Sequence, residues 1–190
     1  MTKVKDILSI DLEDDIKSVV DIDTTDENED DKIDELNDFI LTEALAKHLM
    51  DFCDYYSSET RQPGIWLSGF YGSGKSFFAK ILGYLLENPT WKGTTVVDRF
   101  APKLEGLKDA SLLHNDINEI AKMSNLIVRF DVSKHNNEHG VSFMLLENFL
   151  HTLGCLSNSM GLWEFDMKNE GKYDEFCSRV QQMEGKSWAD

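Results

Sequence analysis

The sequence predicts an α/β fold in which a parallel sheet is flanked by helices, and three observations favour it. A short apolar segment, residues 64–68, is rich in strand-forming residues. A glycine-rich turn over 69–76 follows at once, and the run 77–86 then has apolar residues at helical spacing. A further apolar stretch, 126–132, is the best candidate for a second strand. Strand, turn and helix in this order form the start of a β-α unit.

The turn carries the most specific pattern in the chain. Residues 69–76 read GFYGSGKS, which fits G-x-x-x-x-G-K-[ST], the phosphate-binding P-loop. Glycines in such a turn can adopt positive φ and have no Cβ, so consecutive main-chain N–H groups can turn inward around an anion. A helix beginning near residue 75 adds unpaired N–H groups and the positive end of its dipole. The predicted nucleotide-binding residues are Gly69, Gly72, Ser73, Gly74, Lys75, Ser76 and Phe77.

Two side chains of this turn have predicted roles of their own. Lys75 would reach the β- and γ-phosphates and is the predicted catalytic residue, while the Ser76 hydroxyl would coordinate Mg²⁺. ATP and Mg²⁺ are therefore the expected cofactors, and the lack of an Asn-Lys-x-Asp signature favours ATP over GTP. The rings of Phe70 and Tyr71 cannot bind phosphate, so we expect them to pack the loop or to meet a neighbouring protein surface.

Length and composition limit the classes of protein to be considered. The 190 residues, 41% of them hydrophobic, suit one domain with its own core. No apolar stretch approaches the ~18–20 residues of a membrane span, and the first residues lack the apolar segment of a signal peptide. Cys53, Cys155 and Cys177 are widely spaced, which favours buried or reduced thiols over a disulfide framework or a zinc site. We expect a cytoplasmic protein that does not contact membranes.

The net charge of −16 is concentrated in the first third of the chain. Residues 1–60 contain 19 acidic and 5 basic side chains, whereas 61–190 are nearly balanced. An acidic segment repels phosphate backbones, so direct contact of this segment with DNA is not expected. The segment is interpreted either as a solvated, partly disordered stretch or as a site for basic partners.

Each remaining element follows from local pattern, and the chain divides into an acidic segment, 1–60, and a P-loop NTPase portion, 61–190. The acidic segment is predicted to be mostly helical from about residue 33, with Thr42 as a helix cap. Two alternatives remain there: one long helix, or two helices separated by an extended turn at 39–41. Downstream we predict a helix ending at Asn88 before Pro89, a short strand at 96–97, a helix over 103–123, a polar loop over 133–140, a helix over 141–153, a loop-rich stretch over 154–171 and a helix over 173–183.

Weaker candidates for chemistry lie around the second predicted strand. Asp131 ends that strand as a magnesium-binding Walker B carboxylate would, yet Arg129 interrupts the apolar run and no glutamate follows. We favour the alternative that Asp131 caps the next loop. His135 and His139 have the spacing of metal ligands on a helix but lie in a polar loop, so a metal site is not expected there.

Residues 64–82 strongly resemble the N-terminal P-loop region of the BrxC/PglY family, large ATPases of the BREX bacteriophage-exclusion systems. Patterns at 3–8, 39–43 and 126–131 extend the resemblance over nearly the whole chain. The resemblance implies a P-loop NTPase fold of the additional-strand type. It also implies a bacterial cytoplasmic ATPase that acts with a DNA methyltransferase and other defence proteins.

Members of this family are far longer than this chain. We therefore expect an incomplete P-loop domain, the opening portion of a larger protein or of a split gene product. The Walker B strand would follow residue 190, and hydrolysis would be completed elsewhere in the chain or in an oligomer. Two other functions are considered: a nucleotide-controlled interaction module without hydrolysis, and a small-molecule kinase. The kinase needs a lid and an acceptor site, and neither is evident in the sequence.

Overall fold

The computed structural model describes residues 22, 27–58, 64–134 and 140–188, and it is mostly helical. In these ranges the sheet is a two-stranded antiparallel hairpin, and no parallel sheet is present. The predicted α/β fold, a P-loop NTPase of the additional-strand type, is therefore wrong for this structure. The predicted patch at 3–8 and the histidines at 135 and 139 lie outside the described residues.

The described part of the chain contains eight α-helices, one hairpin and two short 3₁₀ helices, Ala101–Leu104 and Val132–Lys134. In chain order the α-helices and strands are α1 (Glu29–Asp38), α2 (Glu43–Ser57), α3 (Lys75–Glu87), β1 (Thr90–Trp91), β2 (Thr94–Thr95), α4 (Val96–Phe100), α5 (Ala110–Ala121), α6 (Val141–Thr152), α7 (Ser159–Asn169) and α8 (Tyr173–Glu184). None of these helices has the length and apolarity that a membrane crossing requires.

The first two helices settle the alternative left open by the sequence. The chain forms two helices, and Phe39 between them is extended, with φ of −66° and ψ of 121°. Asn28 caps α1 by accepting a hydrogen bond from the Asp31 N–H, and Thr42 caps α2 by accepting one from the Leu45 N–H at 3.3 Å. Each cap satisfies an N–H that has no acceptor within its own helix. The prediction of Thr42 as a cap is confirmed.

Helix α3 ends where the sequence predicted, and the next segment differs from its prediction. The C-cap of α3 is Asn88, in the left-handed conformation before Pro89. Val96 and Val97 were predicted to form a short strand, but they begin α4 because Thr95 caps it by accepting from the Asp98 N–H at 3.2 Å. A local cap outweighs the modest strand preference of two valines.

The main hydrophobic core is formed by the five helices from α1 through α5. Phe39 is at its centre and contacts three aromatic rings: it is edge-on to Phe77 at 5.3 Å and stacked with Phe78 and Phe100. Fully buried aliphatic residues from the helices complete the core: Leu36, Leu49, Ile81, Leu85, Leu113, Ile117 and Ile120. Helix α3 therefore lies inside a helical core rather than on the face of a sheet.

Both predicted strands are irregular in the structure. The segment 126–132 is held by contacts with helices, and the segment 64–68 is exposed. In the stretch 126–132, the Arg129 guanidinium makes two hydrogen bonds to the Glu87 carboxylate, at 2.9 and 2.8 Å. Just before it, the Asn125 side-chain amide donates to the main-chain oxygens of Leu86 and Ile120. These bonds hold the segment along α3 and α5. A strand also needs a neighbouring strand to bond its main chain, which the described residues do not supply.

The last three helices pack around a second, smaller set of buried residues. Glu164 of α7 is 2% exposed, and its carboxylate accepts hydrogen bonds from the Leu156 N–H, the Tyr173 hydroxyl and the Trp188 indole. The predicted helices 141–153 and 173–183 are confirmed, whereas 154–171 contains a helix instead of a loop. Asn158 caps α7 by accepting from the Met160 N–H, a signal that the sequence carried.

Candidate functional site

The glycine-rich turn at 69–74 leads directly into α3. The Ser73 N–H donates to the Phe70 oxygen at 3.2 Å and closes a tight turn. Gly72 and Gly74 both have φ of +78°, in the left-handed region where a side chain would be strained. The turn is thus wound and not stretched out. Gly72 and Gly74 are therefore required by conformation.

Gly69 is favoured for a different reason, which is close approach. A Cβ built on Gly69 would lie 2.8 Å from the Ser73 hydroxyl oxygen and 3.7 Å from the Lys75 side chain. The absence of a side chain at Gly69 therefore leaves room for the Ser73 hydroxyl and the Lys75 side chain. The two glycines that the motif specifies, Gly69 and Gly74, and Gly72 between them each have a local physical reason in this structure.

At the amino end of α3, no acidic side chain in the first turn and no capping side chain among the described residues offsets the positive end of the helix dipole. Gly74 is its N-cap, and no side chain in the described part of the chain caps it. The N–H groups of Lys75, Ser76 and Phe77 have no acceptor inside the helix. Helix α1 is the opposite case, because it has an Asn28 cap and three acidic residues in its first turn. An anion would satisfy at the end of α3 what side chains satisfy in α1.

Lys75 places a cation over this turn. Its ammonium donates to the Phe70 main-chain oxygen at 2.7 Å and lies 3.5 Å from the Ser73 hydroxyl. Ser76 follows on the first turn of α3 and is exposed. The Phe77 ring points into the core against Phe39, so only its main-chain N–H is available to a ligand. The structure thus brings together all seven predicted nucleotide-binding residues on one turn and one helix end.

Asp131 is bonded within its own loop. Its carboxylate accepts hydrogen bonds from the Ser133 N–H at 2.8 Å and from the Ser133 hydroxyl at 2.7 Å. It therefore caps the short 3₁₀ turn Val132–Lys134, as the favoured alternative stated. Across the residues described, no cluster of three or more His, Cys, Asp or Glu side chains has the geometry of a metal site.

The cysteines in the structure are free thiols. Cys53 and Cys155 are buried and Cys177 is half-buried. Burial, followed by the nearby carboxylates of Asp116 and Asp54, raises the pKa of the Cys53 thiol to about 12. This thiol stays protonated at neutral pH, so it is a core residue and not a nucleophile.

One buried ionic group was missed by sequence reasoning. Lys80 is fully buried, and its ammonium lies 2.7 Å from a Glu27 oxygen and 2.6 Å from a Glu35 oxygen. The Tyr84 hydroxyl bonds to the same two carboxylates, and burial together with their charges raises the pKa of Tyr84 above its ordinary value. We call Lys80, Glu27, Glu35 and Tyr84 the Lys80 cluster. The signal for it was a lysine on the apolar face of α3, next to Phe77, Ile81 and Tyr84.

A groove elsewhere on the surface does not suit a nucleotide. It has a volume of about 450 Å³ and lies between α2 and the start of α5, and no residue of the 69–76 turn lines it. Its charged lining includes four carboxylates, Glu43, Asp51, Asp54 and Asp109, against Lys47 and Lys108. An excess of negative charge repels phosphate. The turn at the start of α3 is therefore the better candidate site.

No protein-family model matches the chain, and no solved structure matches it with significance.

Proposed function

We propose that residues 69–76 bind the triphosphate of ATP together with Mg²⁺. The observation that carries the proposal is the Lys75 ammonium held over a turn with two positive-φ glycines, at the open amino end of α3. This arrangement is local, so it needs the turn and the helix but not the parallel sheet that the sequence predicted. Main-chain amides, helix dipole and lysine all favour the same kind of ligand, a chain of phosphates.

Each group has a role that follows from its position. The N–H groups of residues 75–77 would donate to phosphate oxygens, and the Lys75 ammonium would exchange its bond to the Phe70 oxygen for one to a terminal phosphate. The Ser76 hydroxyl, exposed beside Lys75, fits a magnesium ligand that shares the ion with phosphate oxygens. Bound Mg²⁺ would supply neutralisation of the phosphate charge.

We propose binding with little hydrolysis by this chain alone. Hydrolysis by such sites uses a carboxylate near the metal and a residue that positions water. Asp131, the sequence candidate for the carboxylate, is bonded to Ser133. The first turn of α3 supplies no carboxylate either, because it consists of Lys75, Ser76 and Phe77. Phosphate release should stay near background in a steady-state assay. Robust turnover would contradict this part of the proposal, and Asp131 would be the first residue to substitute.

The wider role is proposed from the sequence resemblance. It favours a cytoplasmic BREX-type defence ATPase that acts with a DNA methyltransferase and other defence proteins, with hydrolysis completed by residues outside this chain or by an oligomer. A nucleotide-controlled interaction module is the second candidate. The Lys80 cluster favours it, because this cluster ties the acidic helix α1 to the helix that carries the phosphate-binding turn. Added defence proteins should stimulate hydrolysis in the first case and only bind in the second.

The direct test uses Lys75→Ala and a charge-matched control. Wild-type protein should bind ATP in the presence of Mg²⁺, and Lys75→Ala should lose at least tenfold in affinity because a phosphate oxygen loses its charged donor. Lys122→Ala removes an exposed lysine from the end of α5 and should bind as wild type does. Isothermal titration calorimetry gives the affinities, and circular dichroism checks that the variants are folded. Tight ATP binding by folded Lys75→Ala would overturn the proposal.

A further inference from the structure

Three large aromatic side chains lie in or just before the phosphate-binding turn and are almost completely exposed. Trp66 is 90% exposed, Phe70 is 91% exposed and Tyr71 is 99% exposed. Of the two alternatives predicted for Phe70 and Tyr71, packing against the loop is wrong, and contact with a neighbouring protein surface stays a prediction. Single apolar residues are common on surfaces, but three large exposed rings within six residues of one segment indicate contact with a ligand or partner. We call these three residues the aromatic rim.

The aromatic rim lies within reach of any nucleotide held by the turn. Phe70 and Tyr71 belong to the turn, and the Phe70 main-chain oxygen is itself bonded to the Lys75 ammonium. Trp66 lies three residues before Gly69, a distance that extended chain covers in at most about 10 Å. A nucleotide joins its base to its phosphates through one sugar. Phosphates in the turn would therefore bring the base close to these rings.

We propose that the aromatic rim stacks on the base of the nucleotide whose phosphates the turn binds. This inference rests on the function proposed above and adds the residues that contact the base, which would make a nucleoside phosphate, purines above all, bind more tightly than inorganic phosphate or polyphosphate. Main-chain amides and Lys75 recognise phosphate and do not sense the base. Aromatic faces supply that missing contact, and purines present the larger stacking surface.

The position of the rim favours a base over a protein partner. The three rings are in the same short segment as the amides that bind phosphate, so one ligand can contact both. Stacking also explains why the rings remain on the surface next to a cationic turn instead of entering the core, as Phe77 and Phe78 do. Stacking is tolerant of base identity, so the rim selects a class of ligand and not one nucleotide.

The test compares two ligands that have the same phosphate chain. Titration calorimetry with Mg²⁺ measures ATP and inorganic tripolyphosphate against wild type, Trp66→Ala and the double variant Phe70→Ala/Tyr71→Ala. Wild type should bind ATP roughly tenfold more tightly than tripolyphosphate, the usual size of a stacking contact. At least one rim variant should lose this advantage for ATP while its tripolyphosphate affinity stays unchanged.

Trp163→Ala is the matched control, because Trp163 is 69% exposed on α7 and lies in a different part of the chain. It should retain the ATP advantage in full. Equal affinity of wild type for ATP and tripolyphosphate, or an ATP advantage that survives in both rim variants, would overturn the stacking proposal and leave the phosphate site intact. Failure of wild type to bind either ligand would instead overturn the phosphate site, and the stacking proposal with it.

Discussion

Helix α3 carries two lysines whose surroundings are opposite. Lys80 is fully buried, and its ammonium contacts two carboxylates at 2.7 and 2.6 Å. Lys75, at the amino end, donates to the Phe70 main-chain oxygen at 2.7 Å. A carboxylate neutralises a cation, whereas a carbonyl dipole leaves its charge in place. The charge of Lys80 is therefore used within the fold, and the charge of Lys75 remains available to a ligand.

The same contrast separates the regions around the two lysines. The Lys80 cluster joins α1 to α3 inside the core, where neighbouring residues are buried. The segment 64–74 before Lys75 is exposed along its length. Stability should therefore depend on the first region and ligand binding on the second. Substitutions that affect stability without ligand binding, or the reverse, would support this assignment, and substitutions that affect both equally would contradict it.

The largest expected effect comes from Lys80→Ala. Removing the lysine leaves two carboxylates close together and mostly buried, and breaking a buried ion pair typically costs about 3–5 kcal/mol. We expect a loss of about 3 kcal/mol in the free energy of unfolding, measured by urea denaturation. Lys92→Ala is the control, since Lys92 pairs with Asp30 on the surface and should cost less than about 1 kcal/mol. Equal losses for the two variants would show that the Lys80 cluster contributes no special stability.

Gly74→Ala should have an intermediate effect. Gly74 has φ of +78°, and a residue with a Cβ pays about 1–2 kcal/mol in that conformation. The turn should open to relieve this strain, so ATP affinity should fall together with stability. Gly64→Ala is the control, because nothing lies within 4 Å of its added Cβ and its φ is not in the left-handed region. Wild-type ATP affinity in Gly74→Ala would mean that the turn is not what binds the phosphates.

Thr42→Ala should have a smaller effect, confined to stability. The Thr42 hydroxyl accepts from the Leu45 N–H at the start of α2, and loss of such a cap costs about 1 kcal/mol. Thr42→Ser keeps the acceptor and should be close to wild type. Both variants should bind ATP normally, because the cap belongs to the core region. Thermal melts and ATP titrations on the same samples would detect any exception.

These comparisons also show which features the sequence could predict. Caps and helix ends depend on a few neighbouring residues, and Thr42 and Asn88 were assigned correctly for that reason. The stretch 126–132 was misassigned because its apolar composition is compatible with either a strand or an irregular segment. Its outcome depends on Arg129 bonding to Glu87, a partner 42 residues away. Local pattern does not contain such a contact.

The candidate site shows the same difference between features set by neighbouring residues and contacts between distant ones. Residues 69–77 are consecutive, so the motif alone placed them together, and the structure winds them as the glycines require. The Lys80 cluster was missed because Glu27 is 53 residues from Lys80 in the sequence. Lys75 and Lys80 look alike in a list of charges. Only the packing of α1 against α3 distinguishes them.

The smallest expected effect on stability belongs to Lys75→Ala, and it tests the comparison most directly. The bonds of the Lys75 ammonium are to exposed groups of the turn, so their loss should change the free energy of unfolding by less than about 0.5 kcal/mol. The contribution of Lys75 should instead be measurable as stability gained on ligand binding. At an ATP concentration a hundred times the dissociation constant, wild type should gain about 2.7 kcal/mol of stability, and Lys75→Ala should gain far less.

Thermal melts with and without MgATP measure both quantities in one experiment. Lys122→Ala should show the wild-type shift with ATP, since that lysine lies at the end of α5. A loss of several kcal/mol in Lys75→Ala without ATP would place Lys75 with Lys80 as a structural residue. An undiminished ATP shift in that variant would mean that the cation over the turn does not contact the ligand. Either result would remove the distinction between the two lysines, because that distinction requires one to stabilise the fold and the other to bind phosphate.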